Sequence, residues 1–311
     1  PTPRQSNNMR TFSKSKLMAL RQCPKRLWLE IHRPELREDS AATQASFNIG
    51  FQVGDIARQI YDPEGAGAMI DIESEGFDQA FERTKALLQT PQPVFEAGFS
   101  ANGALAFADV MRPQLHDGQL VWHMVEVKSS TSVKDYHHDD VAVQSYVARA
   151  AGVPLVSVAL AHIDSSWIYP GDGDYRGLLK ENDLTAEAFA RGSEVESWIA
   201  QAQQVAAADA EPEEVTGDQC WAPFECGFHG YCSRNAPKPE YPVHWLPRIS
   251  ADKVRMLANQ GVTDMRDVPD IEFWFCHHVP DDSGIWLFWP SSGESILFAS
   301  SDETQTHFRK S

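Results

Sequence analysis

The stretch VFEAGFSANGALAFADVMRPQLHDGQLVWHMVEVK, residues 94–128, decides the expected fold. Apolar residues alternate with other residues in three runs, a period of two that predicts β-strands. The runs are residues 94–100, 105–111 and 119–128. Asn102-Gly103 and Asp117-Gly118 separate them, and such pairs are typical of tight turns between neighbouring strands. The stretch therefore predicts a three-stranded meander.

On both sides of the meander the hydrophobic period changes to 3.6, which predicts helices. The expected helices cover residues 16–23, 25–30, 43–60, 77–88, 139–151 and 185–208. The apolar run 155–161 predicts one more buried strand. A meander followed by a helix and a buried strand predicts an α/β protein with a mixed central β-sheet flanked by helices.

The remaining segments predict a small helical and β extension after the main domain. We expect residues 1–10 to be a disordered lead-in or an expression remnant, and residues 11–235 to form the main domain. Residues 245–270 resemble a helix–hairpin–helix around Gly261, whose backbone amides could hold a DNA phosphate, and a simple packed helical pair is an equal alternative. We expect a short β extension over 271–300 and a frayed tail over 301–311.

Composition indicates a globular protein with an acidic surface. Of the 311 residues, 42% are hydrophobic and 23% charged, which is ordinary. No apolar run approaches the ~20 residues of a membrane span, and the start carries no signal-peptide pattern, so we expect a cytoplasmic protein with no membrane partner. The formal net charge of −17 argues against nonspecific nucleic-acid binding by the surface as a whole.

The charge is unevenly distributed. Residues 1–37 contain two glutamates and nine basic residues: Arg4, Arg10, Lys14, Lys16, Arg21, Lys25, Arg26, Arg33 and Arg37. Such a basic segment on an acidic body fits a defined path for DNA. It fits a charge match within the molecule equally well.

Asp109, Glu126 and Lys128 carry the most chemical information. Glu126 and Lys128 are two apart in a predicted strand, so both point to one face of the sheet, and Asp109 lies near the end of the preceding strand. Two carboxylates can hold Mg²⁺ or Mn²⁺, which lowers the pKa of a bound water. A lysine can orient that water or stabilise charge developing on phosphorus. The pattern predicts metal-assisted phosphodiester hydrolysis, and the alternative is three solvated residues at a sheet edge.

The five cysteines suggest a second metal centre. Cys220, Cys226 and Cys232 have C-x5-C-x5-C spacing with Pro and Gly turns between them, so three thiolates can converge, and Cys23 is the best fourth ligand. In a cytosolic chain a metal site is favoured over disulfides. Four thiolates suit a [4Fe–4S] cluster or a structural zinc, with His229 replacing one cysteine as the zinc alternative.

Two further interpretations of the thiols stay open. The clustered cysteines could be unrelated reduced thiols, and Cys276 is expected to be an ordinary buried thiol. If a cluster forms, we expect it to be structural and covered by the neighbouring aromatic residues Trp221, Phe224, Phe228 and Tyr231.

One cysteine before the D…E-x-K residues and three after them resemble the PD-(D/E)XK nuclease superfamily. The similar branch contains RecB-type exonuclease domains, the iron–sulfur nucleases of CRISPR adaptation and AddB-type helicase–nucleases. The opening run 13–30, SKSKLMALRQCPKRLWLE, looks like the start of standalone bacterial members. The resemblance covers roughly residues 11–235. It implies a restriction-endonuclease-like core whose two ends are tied together by an iron–sulfur cluster.

The resemblance also implies roles for individual residues. Asp109 and Glu126 would bind the divalent cation, with the Val127 carbonyl as a candidate third ligand. Lys128 would be the catalytic lysine, and Gln144 on the following helix would line the active site. DNA would be the substrate, and other DNA-processing proteins are candidate partners.

The chain departs from this family pattern at several positions. The related nucleases carry Gln-x3-Tyr, whereas this chain has Tyr146 two residues after Gln144 and alanine at 148. Many members have a metal-binding histidine on an early helix, and residues 43–60 contain none. Glu96 is the candidate replacement, because strand alternation would put it on one face with Val94 and Gly98.

Two histidines next to two aspartates, at 137–140, suggest either another metal site or, as we expect, a solvated helix start. Taken together, the sequence predicts a metal-dependent deoxyribonuclease, an exonuclease on single-stranded or frayed DNA ends. The competing hypothesis is a catalytically weak or inactive protein that binds or assembles on nucleic acid with the same fold.

Overall fold

A computed structural model describes residues 10–234, 239–246, 249–268, 286–288, 296–298 and 308–309. The chain divides into two compact units, Pro1–Asn235 and Ala236–Ser311. In the described part of the chain no helix is long and apolar enough to cross a membrane.

The first unit contains nine α-helices and seven strands within its described residues. The helices are α1 (Lys14–Gln22), α2 (Pro24–His32), α3 (Ala41–Tyr61), α4 (Ile72–Glu75), α5 (Phe77–Leu87), α6 (Asp135–Ala150), α7 (Thr185–Ala190), α8 (Gly192–Ala207) and α9 (His229–Ser233). The strands are β1 (Phe12–Ser13), β2 (Ala68–Met69), β3 (Val94–Ala101), β4 (Ala104–His116), β5 (Gln119–Lys128), β6 (Leu155–Ile163) and β7 (Leu179–Asp183).

The seven strands form one mixed sheet in the order β2-β3-β4-β5-β6-β7, with β1 parallel to the start of β4. The predicted meander β3-β4-β5 is antiparallel, whereas β5 and β6 run parallel. A parallel pair requires a crossover, which the intervening α6 provides. The predicted mixed sheet flanked by helices is confirmed.

The hairpin turns form where the sequence predicts them. Asn102 and Gly103 have φ values of 51° and 81°, and Asp117 and Gly118 have values of 49° and 78°. A two-residue turn with both central residues at positive φ matches the right-handed twist of the strands. Asn, Asp and Gly adopt this backbone at the lowest cost.

Hydrophobic side chains form a core on each face of the sheet. Trp122 and Met124 belong to a large core that includes α6, whereas Val125 belongs to a smaller core on the opposite face. Because side chains alternate along a strand, Glu126 and Lys128 lie on the same face as Met124. Both residues therefore point toward α6.

Side-chain alternation breaks at Glu96 in β3 and at Asp109 in β4, which the sequence did not predict. Val94 and Ala97 share the large core while Phe95 lies in the opposite one, so β3 does not keep the expected strict alternation around Glu96. Glu96 has φ 53°, a left-handed backbone that costs a non-glycine residue about 1–2 kcal/mol. Asp109 lies across from it, between the aligned pairs Phe95–Val110 and Ala97–Ala108.

Two predicted helices have different bounds. The helix expected over 185–208 is divided into α7 and α8, because Arg191 leaves the helical region and Gly192 is a weak helix former. The helix expected from 139 begins earlier, at Asp135, where the Lys134 N–H donates to His137 Nδ1.

The second unit contains α10 (Ala251–Asn259) and a three-stranded antiparallel sheet of β8 (Trp286–Phe288), β9 (Ile296–Phe298) and β10 (Phe308–Arg309). α10 ends at Asn259, and Gly261, two residues later, has a φ of 78°. The second α-helix of the expected helix–hairpin–helix is not observed within residues 261–268. The helical element described there is the 3₁₀ turn Met265–Asp267. Cys276, most of the expected extension over 271–300 and the lead-in before residue 10 lie outside the described residues.

Candidate functional site

Glu126 is the centre of a buried cluster of charged side chains on the α6 face. It is 2% exposed. Its Oε1 accepts hydrogen bonds from Lys14 Nζ and Lys128 Nζ, both at 2.8 Å, and its Oε2 accepts one from Gln144 Nε2 at 2.5 Å. Burial raises the pKa of Glu126, but the two lysines outweigh that effect and lower it below its ordinary value. The carboxylate is therefore ionised and held from three sides.

α6 supplies a line of residues spaced by four, which puts them on one face of the helix. Asp140 accepts a hydrogen bond from Lys128 Nζ at 2.5 Å, and Gln144 contacts Glu126. Tyr136 lies one turn before Asp140, and its ring packs edge-on against His137. The sequence predictions included Gln144 but gave no role to Tyr136 or to Asp140 in this site. Their spacing from Gln144 was the available signal.

The orientation of the Gln144 amide is fixed by two acceptors. Its Nε2 donates to Glu126 Oε2 and, at 2.8 Å, to the Phe107 carbonyl. Its Oε1 is buried and receives no hydrogen bond from the described residues. A buried acceptor without a donor costs about 1–3 kcal/mol, so this atom fits a water or ligand that donates to it.

Asp109 and Glu96 add two more carboxylates near Glu126. Asp109 Oδ2 accepts a hydrogen bond from the Val127 N–H at 2.6 Å. Val127 therefore contacts this site with its backbone N–H. Burial, followed by the charge of Glu126, raises the pKa of Asp109 well above its ordinary value and also raises the pKa of Glu96. Burial is the larger cause, and the negative charge of Glu126 adds to it, while Lys14 acts in the opposite direction.

Lys14 completes the cluster although no sequence motif indicated it. It opens α1, 112 positions before Glu126, and its side chain is 23% exposed. Burial lowers the pKa of both Lys14 and Lys128, but the carboxylates of Glu126 and Asp140 outweigh it and raise both. Two ammonium groups thus face four carboxylates, those of Glu96, Asp109, Glu126 and Asp140.

The tyrosine that follows the glutamine in the Gln-x3-Tyr pattern of the similar nucleases has no equivalent on α6, where position 148 is alanine. Tyr146 points away from Gln144, because residues two apart on a helix lie on different sides. Its hydroxyl accepts a hydrogen bond from Asn102 Nδ2 and donates one to Glu196. Ala148 is buried in the large core.

The expected solvated helix start at 137–140 is wrong for His137. Its side chain is buried, and burial is the first cause that lowers its pKa to about 4. His138 Nδ1 lies within hydrogen-bond distance of Glu187 Oε2, at 2.9 Å. Asp139 pairs with Arg21 and Arg191. These contacts provide polar partners for the side chains of His138 and Asp139.

Cys23, Cys220, Cys226 and Cys232 line one pocket. Cys220 and Cys226 are buried, and all four thiols are free. Burial raises the pKa of each thiol, that of Cys232 to about 11. The structure therefore brings together the four cysteines, from positions that are up to 209 residues apart in the sequence.

The aromatic cover predicted for this pocket is partly wrong. Phe228 is 1% exposed and packs with Cys220 and Cys226, and Tyr231 packs against the same group. Trp221 and Phe224 are 37% and 49% exposed. Their rings turn to His229 and Tyr136 respectively.

Across the described residues, no group of three or more His, Cys, Asp or Glu side chains is arranged to hold a metal ion as it stands. In the acidic cluster, lysines and backbone or amide donors use Glu126 and Asp109 as acceptors. The four cysteines line one pocket but, as they stand, do not form such a group either.

The basic residues of the N-terminal segment are matched within the unit. Of the eight that lie within the described residues, seven form ion pairs: Lys14, Lys16, Arg21, Lys25, Arg26, Arg33 and Arg37. This pairing corresponds to the intramolecular charge match, the second of the two interpretations of the segment.

Comparison of the chain with protein-family models and with curated proteins finds no match.

Proposed function

We propose that this protein is a metal-dependent deoxyribonuclease with a restriction-endonuclease-like core, acting as an exonuclease on single-stranded or frayed DNA ends. The observation that carries the proposal is the buried cluster of Asp109, Glu126, Lys128 and Gln144 on adjacent strands and the helix behind them. The order of these residues along the chain is the one that the family resemblance implies.

The charge of the cluster supports a divalent cation. Lys14 and Lys128 balance two of the four carboxylates, which leaves an excess of about two negative charges when all are ionised. The pKa values of Asp109 and Glu96 are raised first by burial and then by the negative charge of Glu126, and a bound divalent cation would offset that charge. Asp109 and Glu126, with Glu96 beside them, would hold Mg²⁺ or Mn²⁺.

The cation would supply an activated water and polarise a phosphoryl oxygen. The side chains of the protein do the rest. Lys128, held between Glu126 and Asp140, can orient the attacking water or stabilise negative charge on phosphorus. Gln144 Oε1, with no donor among the described residues, can accept a hydrogen bond from that water and so help to orient it.

We also propose that the four cysteines hold a [4Fe–4S] cluster that ties the N-terminal helices to residues 220–232. Such a cluster would bind each thiolate to a different iron, so its four cysteines would line one pocket, and these four line one. A single zinc requires its four ligands to converge tetrahedrally, which the described cysteines and His229 do not do as they stand.

The test is digestion of end-labelled single- and double-stranded DNA with Mg²⁺ or Mn²⁺. We expect digestion by the wild-type protein and its loss in Lys128→Ala and Asp109→Ala. Lys85→Ala, an exposed lysine on α5, is the control and should digest normally. Undiminished activity of Lys128→Ala would refute the assignment.

A second candidate is a nucleic-acid-binding or assembly protein that does not cleave. It is favoured by the two lysines that already neutralise Glu126 and by the absence, in the described residues, of a preformed metal-binding group. Calorimetry with Mn²⁺ separates the two. Retained DNA binding with no Mn²⁺ binding at millimolar concentration would favour the non-catalytic protein.

A further inference from the structure

Lys14 and Lys128 donate to the same oxygen of Glu126. Each Nζ lies 2.8 Å from Oε1. A carboxylate oxygen has about two lone-pair sites, so two lysine donors use both. Glu126 Oε1 therefore cannot bind a cation while both lysines remain on it.

The two lysines differ in what else holds them. Lys128 has Asp140 as a second partner at 2.5 Å, whereas Lys14 lies 4.0 Å from the same carboxylate. Lys14 donates its hydrogen bond to Glu126. Lys14 is consequently the lysine that can leave Glu126 at the lower cost.

Lys14 is also placed to reach an incoming ligand. Its side chain is 23% exposed, compared with 2% for Glu126, so the buried carboxylate is paired with a side chain that is itself partly accessible to solvent. Its position is fixed by the start of α1, where the Ser13 side chain caps the helix by accepting from the Lys16 N–H. A long side chain on a fixed helix end can exchange one anionic partner for another with little backbone movement.

We propose that Lys14 is a substrate-binding residue that contacts a phosphate of the nucleic-acid strand and occupies Glu126 Oε1 only until a divalent cation binds there. This inference rests on the proposed function, and it adds a basic residue to the site that the D…E-x-K pattern does not contain. Other basic residues of the described N-terminal segment, such as Lys16, Arg21 and Lys25, pair with carboxylates outside the cluster. Lys14 pairs with Glu126 inside it.

The test uses Lys14→Gln, which can still donate to Glu126 but has no charge, and Lys14→Arg, which keeps the charge. Lys85→Gln is the control for loss of one positive charge on the same unit. Calorimetry measures Mn²⁺ binding without DNA. Fluorescence anisotropy measures binding of a labelled single-stranded oligodeoxynucleotide in Ca²⁺, a cation of looser coordination geometry.

We expect Lys14→Gln to bind Mn²⁺ several-fold more tightly, because a competing ammonium is gone, and the oligonucleotide about tenfold more weakly, because one charge-assisted phosphate contact is lost. Lys14→Arg should keep oligonucleotide binding within about threefold of wild type, since guanidinium also pairs with phosphate. Lys85→Gln should match wild type in both measurements.

Wild-type oligonucleotide affinity in Lys14→Gln would overturn the proposal, as would weaker Mn²⁺ binding, which a purely structural ion pair would give. If the wild-type protein still digests DNA, either result rejects the proposed role of Lys14 and leaves the proposed function standing. A wild-type protein that neither binds Mn²⁺ nor digests DNA rejects the proposed function and, with it, this inference.

Discussion

The rings of Phe224 and Tyr136 pack edge to face, with their centroids 4.7 Å apart. Phe224 lies in the loop between Cys220 and Cys226, and Tyr136 lies one turn before Asp140 on α6. The loop that carries two of the proposed cluster ligands thus contacts the helix that carries part of the acidic site. The state of the cysteine pocket can influence the site through this contact.

Phe224→Ala should lower DNA digestion while leaving the cysteines in place. An aromatic pair of this geometry contributes about 0.5–1.5 kcal/mol beyond burial, enough to change the rate up to about tenfold if α6 shifts. The measurement is kcat on end-labelled DNA, together with iron content. Trp221→Ala is the matched control, since Trp221 is in the same loop but packs on His229. Equal effects of the two substitutions would contradict a specific contact with α6.

Glu96 should contribute charge to the site at a cost in backbone strain. Glu96→Gln removes the carboxylate and keeps φ at 53°, so Mn²⁺ binding should weaken while the strain remains. Glu96→Gly removes both, and should be more stable than Glu96→Gln by about 1 kcal/mol. Calorimetry and urea unfolding measure the two effects. Equal stability of the two variants would show that the backbone at residue 96 is not strained.

Anaerobically purified protein should be brown, with broad visible absorption from a [4Fe–4S] cluster. Cys226→Ala should lose the colour, and solubility and DNA binding should fall together, because the centre joins segments far apart in the chain. Cys276→Ala, for which the sequence suggests no metal role, should stay brown. Colourless protein with one stoichiometric zinc would show that zinc, and not an iron–sulfur cluster, forms the cross-link. A soluble, fully active Cys226→Ala variant would show that there is no such cross-link.

Stability should fall in mild acid because of His137. Its pKa is lowered to about 4 in the folded protein from an ordinary value of 6.5, first of all by burial. Between these values the unfolded chain takes up a proton that the folded protein refuses, so the free energy of unfolding decreases as pH falls. This group alone should cost about 2 kcal/mol at pH 5 relative to pH 7.

Urea unfolding of His137→Asn at pH 7 and pH 5 checks this prediction. Asparagine can accept the Lys134 N–H as Nδ1 does, but it does not titrate. The variant should lose that part of the pH dependence. His116→Asn, at a side chain 73% exposed, is the control and should keep it. A pH dependence unchanged by His137→Asn would place its source elsewhere.

The strands and turns of the meander were predictable because local chemistry controls them. β5 has the predicted bounds, and the four turn residues have the positive φ that Asn-Gly and Asp-Gly pairs favour. The break in alternation at Glu96 was not predictable, because it accompanies the pairing of β3 with β4. A period of two along either strand contains no signal for it. The division between α7 and α8 had a local signal in Gly192, a weak helix former in an otherwise helical run.

The sequence by itself determined the mixed sheet and the shared face of Glu126 and Lys128, since both depend on spacing within one element or its neighbour. The candidate role of Gln144 came from the family resemblance. Only the tertiary structure decided that Lys14 and Asp140 join them, and that Cys23 meets the three later cysteines in one pocket. The physical reason is that buried charges and thiols are placed by the packing of α1 and α6 on the sheet. That packing joins residues more than a hundred positions apart, and no local pattern in the chain specifies it.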